Sequence, residues 1–292
     1  MDKRTVELIL VVATVSTSLS ALFVRFSEAD SMALVFYRML FTVLLMAPFI
    51  VWRYRKELMS VARSDMMMCI ASGIVLALHF FTYFESLRYT SIMSNLVLVH
   101  TSAFFVAFIS LIVFKERMPI KGWLAIMIAF IGSVMISLSD MSTGGNNALY
   151  GDMLAIAGAI FFSFYAVIGR KERKDISVMT YTFIVYSTAA LTSLLILLAC
   201  GQKCIGYEAN DYLCALGMAV FCTILGHSVY NWGLKYVTAS FVSVVALAEP
   251  IFGTILGMVF FNEIPGIMIV IGSAVTLIGV YMFTKNENTE NE

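Results

Sequence analysis

Six ionisable side chains interrupt long apolar runs of this chain: Arg38, His79, Glu85, His100, His227 and Glu249. Glu249 has the most suggestive setting. At helical spacing it shares a stripe with Ala246, Gly253 and Gly257, so its face is lined by small residues. Pro250 follows it and brings no backbone donor, which predicts a helix kink and a freed carbonyl at Ala246. Two readings stand: a protonation site or contact for a substrate cation, and a protonated structural carboxyl at a kink. Gly253 and Gly257 also form a GxxxG pattern, best read as helix packing.

Two further stripes carry hydrogen-bonding groups. One places Thr223, His227, Tyr230 and Asn231 on a single helical face, with Trp232 beside it; the other places Ser72, His79, Tyr83 and Ser86 on one face. Aromatic rings with polar tips suit a small amphipathic solute, and the histidines can titrate near neutral pH. The competing reading is interhelical hydrogen bonding without a ligand. His100 has apolar neighbours along its face (Leu96, Ala103, Phe104, Ala107) and reads as a satisfied core histidine. Arg38 and Glu85 sit at similar depth, which predicts a structural salt bridge. The alternative is an Arg38 that faces a cavity and binds a carboxylate. Cys69, Cys200, Cys204, Cys214 and Cys222 show no CxxC or Cys/His spacing, so neither a metal nor a cofactor is expected.

The elements that must hold these groups follow from composition. Of 292 residues, 60% are hydrophobic and 13% charged, with a mean hydropathy of +0.90. Soluble domains carry about 25% charged residues, so a soluble enzyme or nucleic-acid-binding domain is excluded as the main reading. The apolar runs are continuous, unlike the alternating strands of a membrane β-barrel. A spanning helix needs ~20 apolar residues. Ten segments qualify: Val6–Phe26, Met32–Trp52, Met66–Leu87, Thr90–Phe114, Gly122–Leu138, Met153–Gly169, Met179–Leu198, Asp211–Leu234, Thr238–Phe261 and Pro265–Phe283. The first follows Lys3 and Arg4, but its length and the nine spans behind it favour a retained helix over a signal peptide.

With the N-terminus inside, 15 Lys and Arg fall on the inner side and Arg25, Arg88 and Lys203 on the outer. That bias places both termini in the cytoplasm. The connection Ser139–Tyr150 has no Lys or Arg and is expected to be an outer loop; residues 286–292 are expected to be a disordered tail.

A shift of 147 positions lays the second half on the first. Tyr83 meets Tyr230, Tyr89 meets Tyr236, Glu116 meets Glu263, and Gly132 meets Gly279. Residues 1–138 and 150–285 would each hold five spans, and an odd number inverts the second copy. Inverted repeats are the architecture of many secondary transporters.

The chain resembles EamA-type members of the drug/metabolite transporter superfamily. The residues that carry the likeness are Ala248-Glu249-Pro250, Phe261-Asn262-Glu263, the corresponding Phe114-Lys115-Glu116, and Arg38 in Phe36-Tyr37-Arg38. The first repeat departs from the second by having Ser102-Ala103 where the second has Glu249-Pro250. The resemblance implies an all-α membrane protein of ten helices in two inverted five-helix repeats. It also implies export or exchange of small metabolites, often amino acids or related compounds.

The expected partners are therefore a small-molecule substrate, the lipid bilayer and, through Glu249, protons, with no nucleic acid and a monomeric or homodimeric state. GxxxxGK[ST] does not occur, so ATP does not drive transport within this chain. The contrasting class, an intramembrane enzyme acting on lipid or peptide, lacks an HExxH helix or a GxSxG elbow. Gly226-His227-Ser228 puts His and Ser about 100° apart on a helix, a poor nucleophile–base geometry.

Overall fold

In the bilayer every backbone polar group must be paired within its own segment, which leaves helices as the form for continuous apolar runs. A computed structural model of the chain has this form, and it describes residues 3–114, 120–172, 176–237, 242, 245, 246 and 248–290. The described residues form helices joined by short turns, without strands.

The helices are α1 (Lys3–Phe26), α2 (Ser31–Phe49), α3 (Arg55–Ser60), α4 (Arg63–Ser86), α5 (Ile92–His100), α6 (Ser102–Phe114), α7 (Ile120–Glu172) and α8 (Val178–Ala199). They continue as α9 (Ala209–Gly217), α10 (Ser228–Gly233), α11 (Glu249–Phe261) and α12 (Ile267–Glu290). Ile50–Tyr54 and Met218–His227 are π-helical; the second joins α9 to α10.

Seven stretches are long and apolar enough to cross a bilayer, so the chain is a multi-pass helical membrane protein. Ile120–Ile136, Glu249–Phe261 and Ile267–Gly279 are shorter apolar helices that coincide with the expected fifth, ninth and tenth segments. Part of the expected ninth span, and Lys115 and Glu116 of the resemblance, lie outside the described residues.

Two local expectations change. Ser139–Tyr150 is helical, because α7 runs for 53 residues. No proline interrupts Ile120–Glu172, so no backbone donor is lost there. An ideal helix of this length measures about 80 Å, more than one bilayer crossing; α7 accordingly holds two apolar stretches, Ile120–Ile136 and Asn147–Glu172. The polar tail is helical through Glu290, again without a proline or glycine beyond Gly279 to stop it. Pro250 stands in the first turn of α11, directly after the turn at Ala248, and part of the segment before it lies outside the described residues. In that turn its missing N–H has no intrahelical partner to lose.

Close packing depends on small residues. A methyl group on Gly279 would stand 2.6 Å from Ala129 N, and one on Gly132 would stand 2.5 Å from Thr276 N, so α7 and α12 meet backbone to backbone. Thr276 Oγ1 reaches Ala129 O at 3.4 Å. On α11, a methyl on Gly253 would lie 2.1 Å from Leu96 Cδ1. The glycine face beside Glu249 is therefore pressed against α5.

At the end carrying Arg25 and Arg88, the α1–α2 turn is held by Asp211. Its Oδ1 accepts from Ser27 Oγ (2.8 Å), Glu28 N (2.9 Å) and Ala29 N (3.2 Å), and its Oδ2 accepts from Glu208 N (3.1 Å).

Candidate functional site

Two single-residue turns at helix ends lie beside the same cavity. α5 ends at His100 and α6 begins at Ser102, with Thr101 Oγ1 donating to Leu98 O (2.6 Å). α11 starts at Glu249 directly after a turn at Ala248. Thr101 and Ala248 are 147 residues apart, the repeat spacing. The cavity between the breaks leaves about 920 Å³ between its walls, part of it open to solvent, and both Ser102 and Glu249 line it.

α1 supplies one wall through Thr17 and Ser20. α2 supplies Arg38, α4 supplies His79, Phe80 and Tyr83, and α5 supplies His100. The second half of α7 adds Phe162 and Tyr165; the π segment and α10 add His227, Tyr230 and Asn231.

Glu249 is held by two contacts. Its Oε2 accepts from Thr17 Oγ1 (2.8 Å) and lies 3.7 Å from His100 Nε2. His100 Nδ1 donates to Leu96 O (2.8 Å), since a carbonyl can only accept. A neutral His100 therefore turns a bare Nε2 lone pair toward Glu249. Tyr230 OH completes the hydroxyl cluster, 3.3 Å from Thr17 Oγ1 and donating to Thr14 Oγ1 at 2.8 Å.

Arg38 is fully buried. Its Nε donates to Thr223 Oγ1 (2.8 Å) and its Nη1 to Ser20 Oγ (3.2 Å), and the guanidinium lies over the Phe80 ring at 4.0 Å. The expected salt bridge to Glu85 does not form. Glu85 instead pairs with Arg88, one turn along, at 3.7 Å. Equal depth in two helices does not make their side chains point at each other, and Arg88 is a nearer cation.

His79 Nδ1 donates to Gly158 O (2.9 Å), and the His79 ring stacks parallel to Tyr83. The His79 and His227 rings lie 6.4 Å apart, so the two polar stripes do meet. Asn231 donates to Tyr165 OH and to His227 O.

Of the residues expected to line a pore, Arg38, His79, Tyr83, His227, Tyr230, Asn231 and Glu249 converge on this cavity. Thr223 lies behind it as a partner of Arg38, and also donates to Met218 O (3.2 Å). Trp232 turns away and packs on Tyr236, with ring centroids 4.9 Å apart. Ser72 leaves its stripe to meet Tyr181 OH (2.8 Å). His100, read from sequence as a core histidine, is corrected to a cavity residue that faces Glu249. Thr17, Ser20, Phe162 and Tyr165 were not singled out from sequence. The one available signal was the hydroxyl run Thr14–Ser20 inside an apolar span.

Away from the cavity, the end carrying Arg25 and Arg88 is tied by an ion pair. Arg25 Nη2 meets Glu263 Oε1 at 2.9 Å and also donates to Thr90 O (2.9 Å), while Ile92 N donates to Glu263 Oε2 (3.0 Å). Asn262 adopts the left-handed conformation (φ 54°) at the end of α11, which lets Glu263 N reach back to Gly257 O at 3.2 Å.

Comparison with known proteins gives a consistent picture. The model of the EamA-like transporter family matches residues 4–138 and again 149–285. An uncharacterized transporter of Archaeoglobus fulgidus is 24% identical over 266 residues, covering 89% of this chain and 90% of the relative. The uncharacterized transporter YxxF of Bacillus subtilis is 22% identical over 289 residues, covering 95% and 91%. A solved crystal structure superposes over the full length of both chains with a TM-score of 0.69 at 17% identity, which supports the fold alone.

Proposed function

Because the chain belongs to the EamA-like transporter family, we propose that it is a secondary transporter of small organic metabolites, such as amino acids or related compounds. In this reading it works as an exporter or exchanger in the cytoplasmic membrane, by alternating access through the cavity between α1, α4, α5, α10 and α11. Membrane transport itself is the family's activity. The observation that carries the finer reading is the pair of helix breaks at Thr101 and Ala248. Interrupted helices at corresponding points of two repeats are the usual pointer to a transporter's binding site.

Ten helices in two inverted halves fit this reading. Thr276 touches Ala129, its counterpart at the 147-residue spacing, as expected for residues close to an axis relating two copies. With the basic side inside, the Arg25–Glu263 pair closes the outer end. The cavity instead reaches Ala166 and Leu234, which border the basic Arg170, Lys171 and Lys235. The described conformation is then closed to the outside.

Glu249 and His100 are the proton-carrying pair in this scheme. Protonation would switch the charge of the cavity wall at the break of α11, where the two arrangements of a transporter must differ. The test is uptake and counterflow in proteoliposomes against a metabolite panel, with and without a pH gradient. Glu249→Gln is expected to abolish the response to the gradient while counterflow of the same solute survives. An unchanged pH response in Glu249→Gln removes Glu249 from coupling, and absence of any solute flux under every gradient overturns the transport reading.

A further inference from the structure

Arg38 is a buried cation whose partners are all neutral. Thr223 and Ser20 take two of its donors, Phe80 covers one face of the guanidinium, and Nη2 has no hydrogen-bond partner. The two acidic residues that could neutralise it are engaged elsewhere: Glu85 with Arg88, and Glu249 with Thr17 and His100. Among the described residues no carboxylate forms an ion pair with Arg38. A guanidinium cannot shed its charge, and an uncompensated buried charge is strongly unfavourable. Nη2 nevertheless belongs to a side chain on the cavity wall, where His227 Nδ1 is likewise buried and without a partner.

We propose that the transported solute carries a carboxylate, and that this carboxylate seats on Nη2 of Arg38 as its missing counter-ion. The proposal rests on the reading of the cavity as the transport site and names the solute class it takes. The neutral ties at Nε and Nη1 fix the plane of the guanidinium without quenching its charge, so Nη2 is left as a buried donor without a partner. One charge matches a carboxylate better than a phosphate, whose two charges usually recruit more than one cation. The rest of the wall, with Phe80, Phe162 and Tyr230, suits an apolar body attached to that carboxylate.

α1 also sets where a second solute charge would go. Ser20 holds Arg38 and Thr17 holds Glu249, and these hydroxyls are three residues apart, about 4.5 Å along the helix. A solute with a carboxylate and a nearby ammonium can address both groups at once.

The experiment uses the purified full-length protein. Thermal unfolding in detergent is followed with pyruvate, alanine, phenylalanine, their uncharged amides, the matching amines, and inorganic phosphate. Counterflow is then measured in proteoliposomes for each stabilising compound. Carboxylates are expected to raise the unfolding temperature of the wild type, and their amides and amines to fall short by at least about tenfold in the concentration required, the smallest loss expected for one charge-assisted hydrogen bond. Arg38→Lys should retain the preference for carboxylates with weakened apparent affinity, and Arg38→Gln should lose it. If Arg38→Gln does not fold, the wild-type ligand series decides alone. Stabilisation and flux by amines or amides equal to those of carboxylates overturn the proposal while leaving transport intact, as does a response to phosphate alone. Failure of the transport reading itself has a different signature, ligand binding without flux for every compound.

Discussion

The Arg25–Glu263 pair offers a direct test of how the end carrying Arg25 and Arg88 is held, which the proposed function places outside. Glu263→Gln keeps an amide oxygen for Ile92 N–H but removes the charge opposite Arg25, whose contact is 2.9 Å. Both side chains are only partly buried, so solvent screens them. An exposed ion pair contributes at most about 1 kcal/mol, and a hydrogen bond to a charged group about 1.5–3 kcal/mol. The expected loss lies between these limits, about 1–2 kcal/mol, which shifts a two-state equilibrium by a factor of roughly 5–30 toward the form open to the outside. Val99 lines the cavity and reports on that opening. The assay places a cysteine at Val99 in a background lacking Cys200 and Cys204, the two cysteines that are not buried. Labelling from outside by a membrane-impermeant maleimide should accelerate by that factor in Glu263→Gln. The charge swap of Arg25→Glu with Glu263→Arg should restore much of the slow rate. Equal labelling rates in wild type and Glu263→Gln would refute the latch, since an ion pair that closes one state cannot be removed without changing its population.

Two further expectations concern stability. Asp211→Asn should lower the unfolding free energy by about 2–4 kcal/mol, because a buried carboxylate that accepts four hydrogen bonds would be replaced by a neutral group with one acceptor oxygen; thermal unfolding in detergent measures it, and a change under 1 kcal/mol would show that the α1–α2 turn holds without the charge. Gly279→Val should cost about 1–3 kcal/mol or separate α7 from α12, since the added atoms meet backbone and not a yielding side chain; a variant of wild-type stability and transport rate would contradict the close crossing.

What could be read from the sequence depended on whether the information lay within one helix. His79 with Tyr83, and His227 with Tyr230 and Asn231, stand at spacings of three and four residues, and a single helix suffices to place each set on one face. His100 defeated the same logic. Its neighbours at helical spacing are apolar, and its decisive partner, Glu249, comes from a helix about 150 residues away. Thr223 was grouped with His227 by its spacing of four, but Met218–His227 is π-helical. The wider turn changes which residues stack, so Thr223 backs Arg38 while His227 faces the cavity. Thr17 and Ser20 were hidden by ordinary behaviour: Thr14, Thr17 and Ser18 all return hydrogen bonds to their own helix as hydroxyls commonly do. Nothing local distinguishes a hydroxyl that serves its helix from one that holds a buried charge.

The separation of Arg38 from Glu249 has its own physical logic. The two are held at neighbouring turns of α1, yet each is tied to a hydroxyl and not to the other. A direct ion pair would satisfy both groups, and a solute would then have to break it before binding. Hydroxyls orient a charge without cancelling it, so Nη2 of Arg38 stays unpaired on a side chain of the cavity wall. Such an arrangement makes the empty site electrostatically unfavourable and the occupied one favourable, which is the differential free energy a solute needs to bias one conformation over another. The break at Ala248 then matters for a second reason. It leaves Glu249 at the start of α11, with His100 Nε2 3.7 Å across the gap. A carboxyl, an imidazole and the start of a helix thereby meet at one point of the cavity wall.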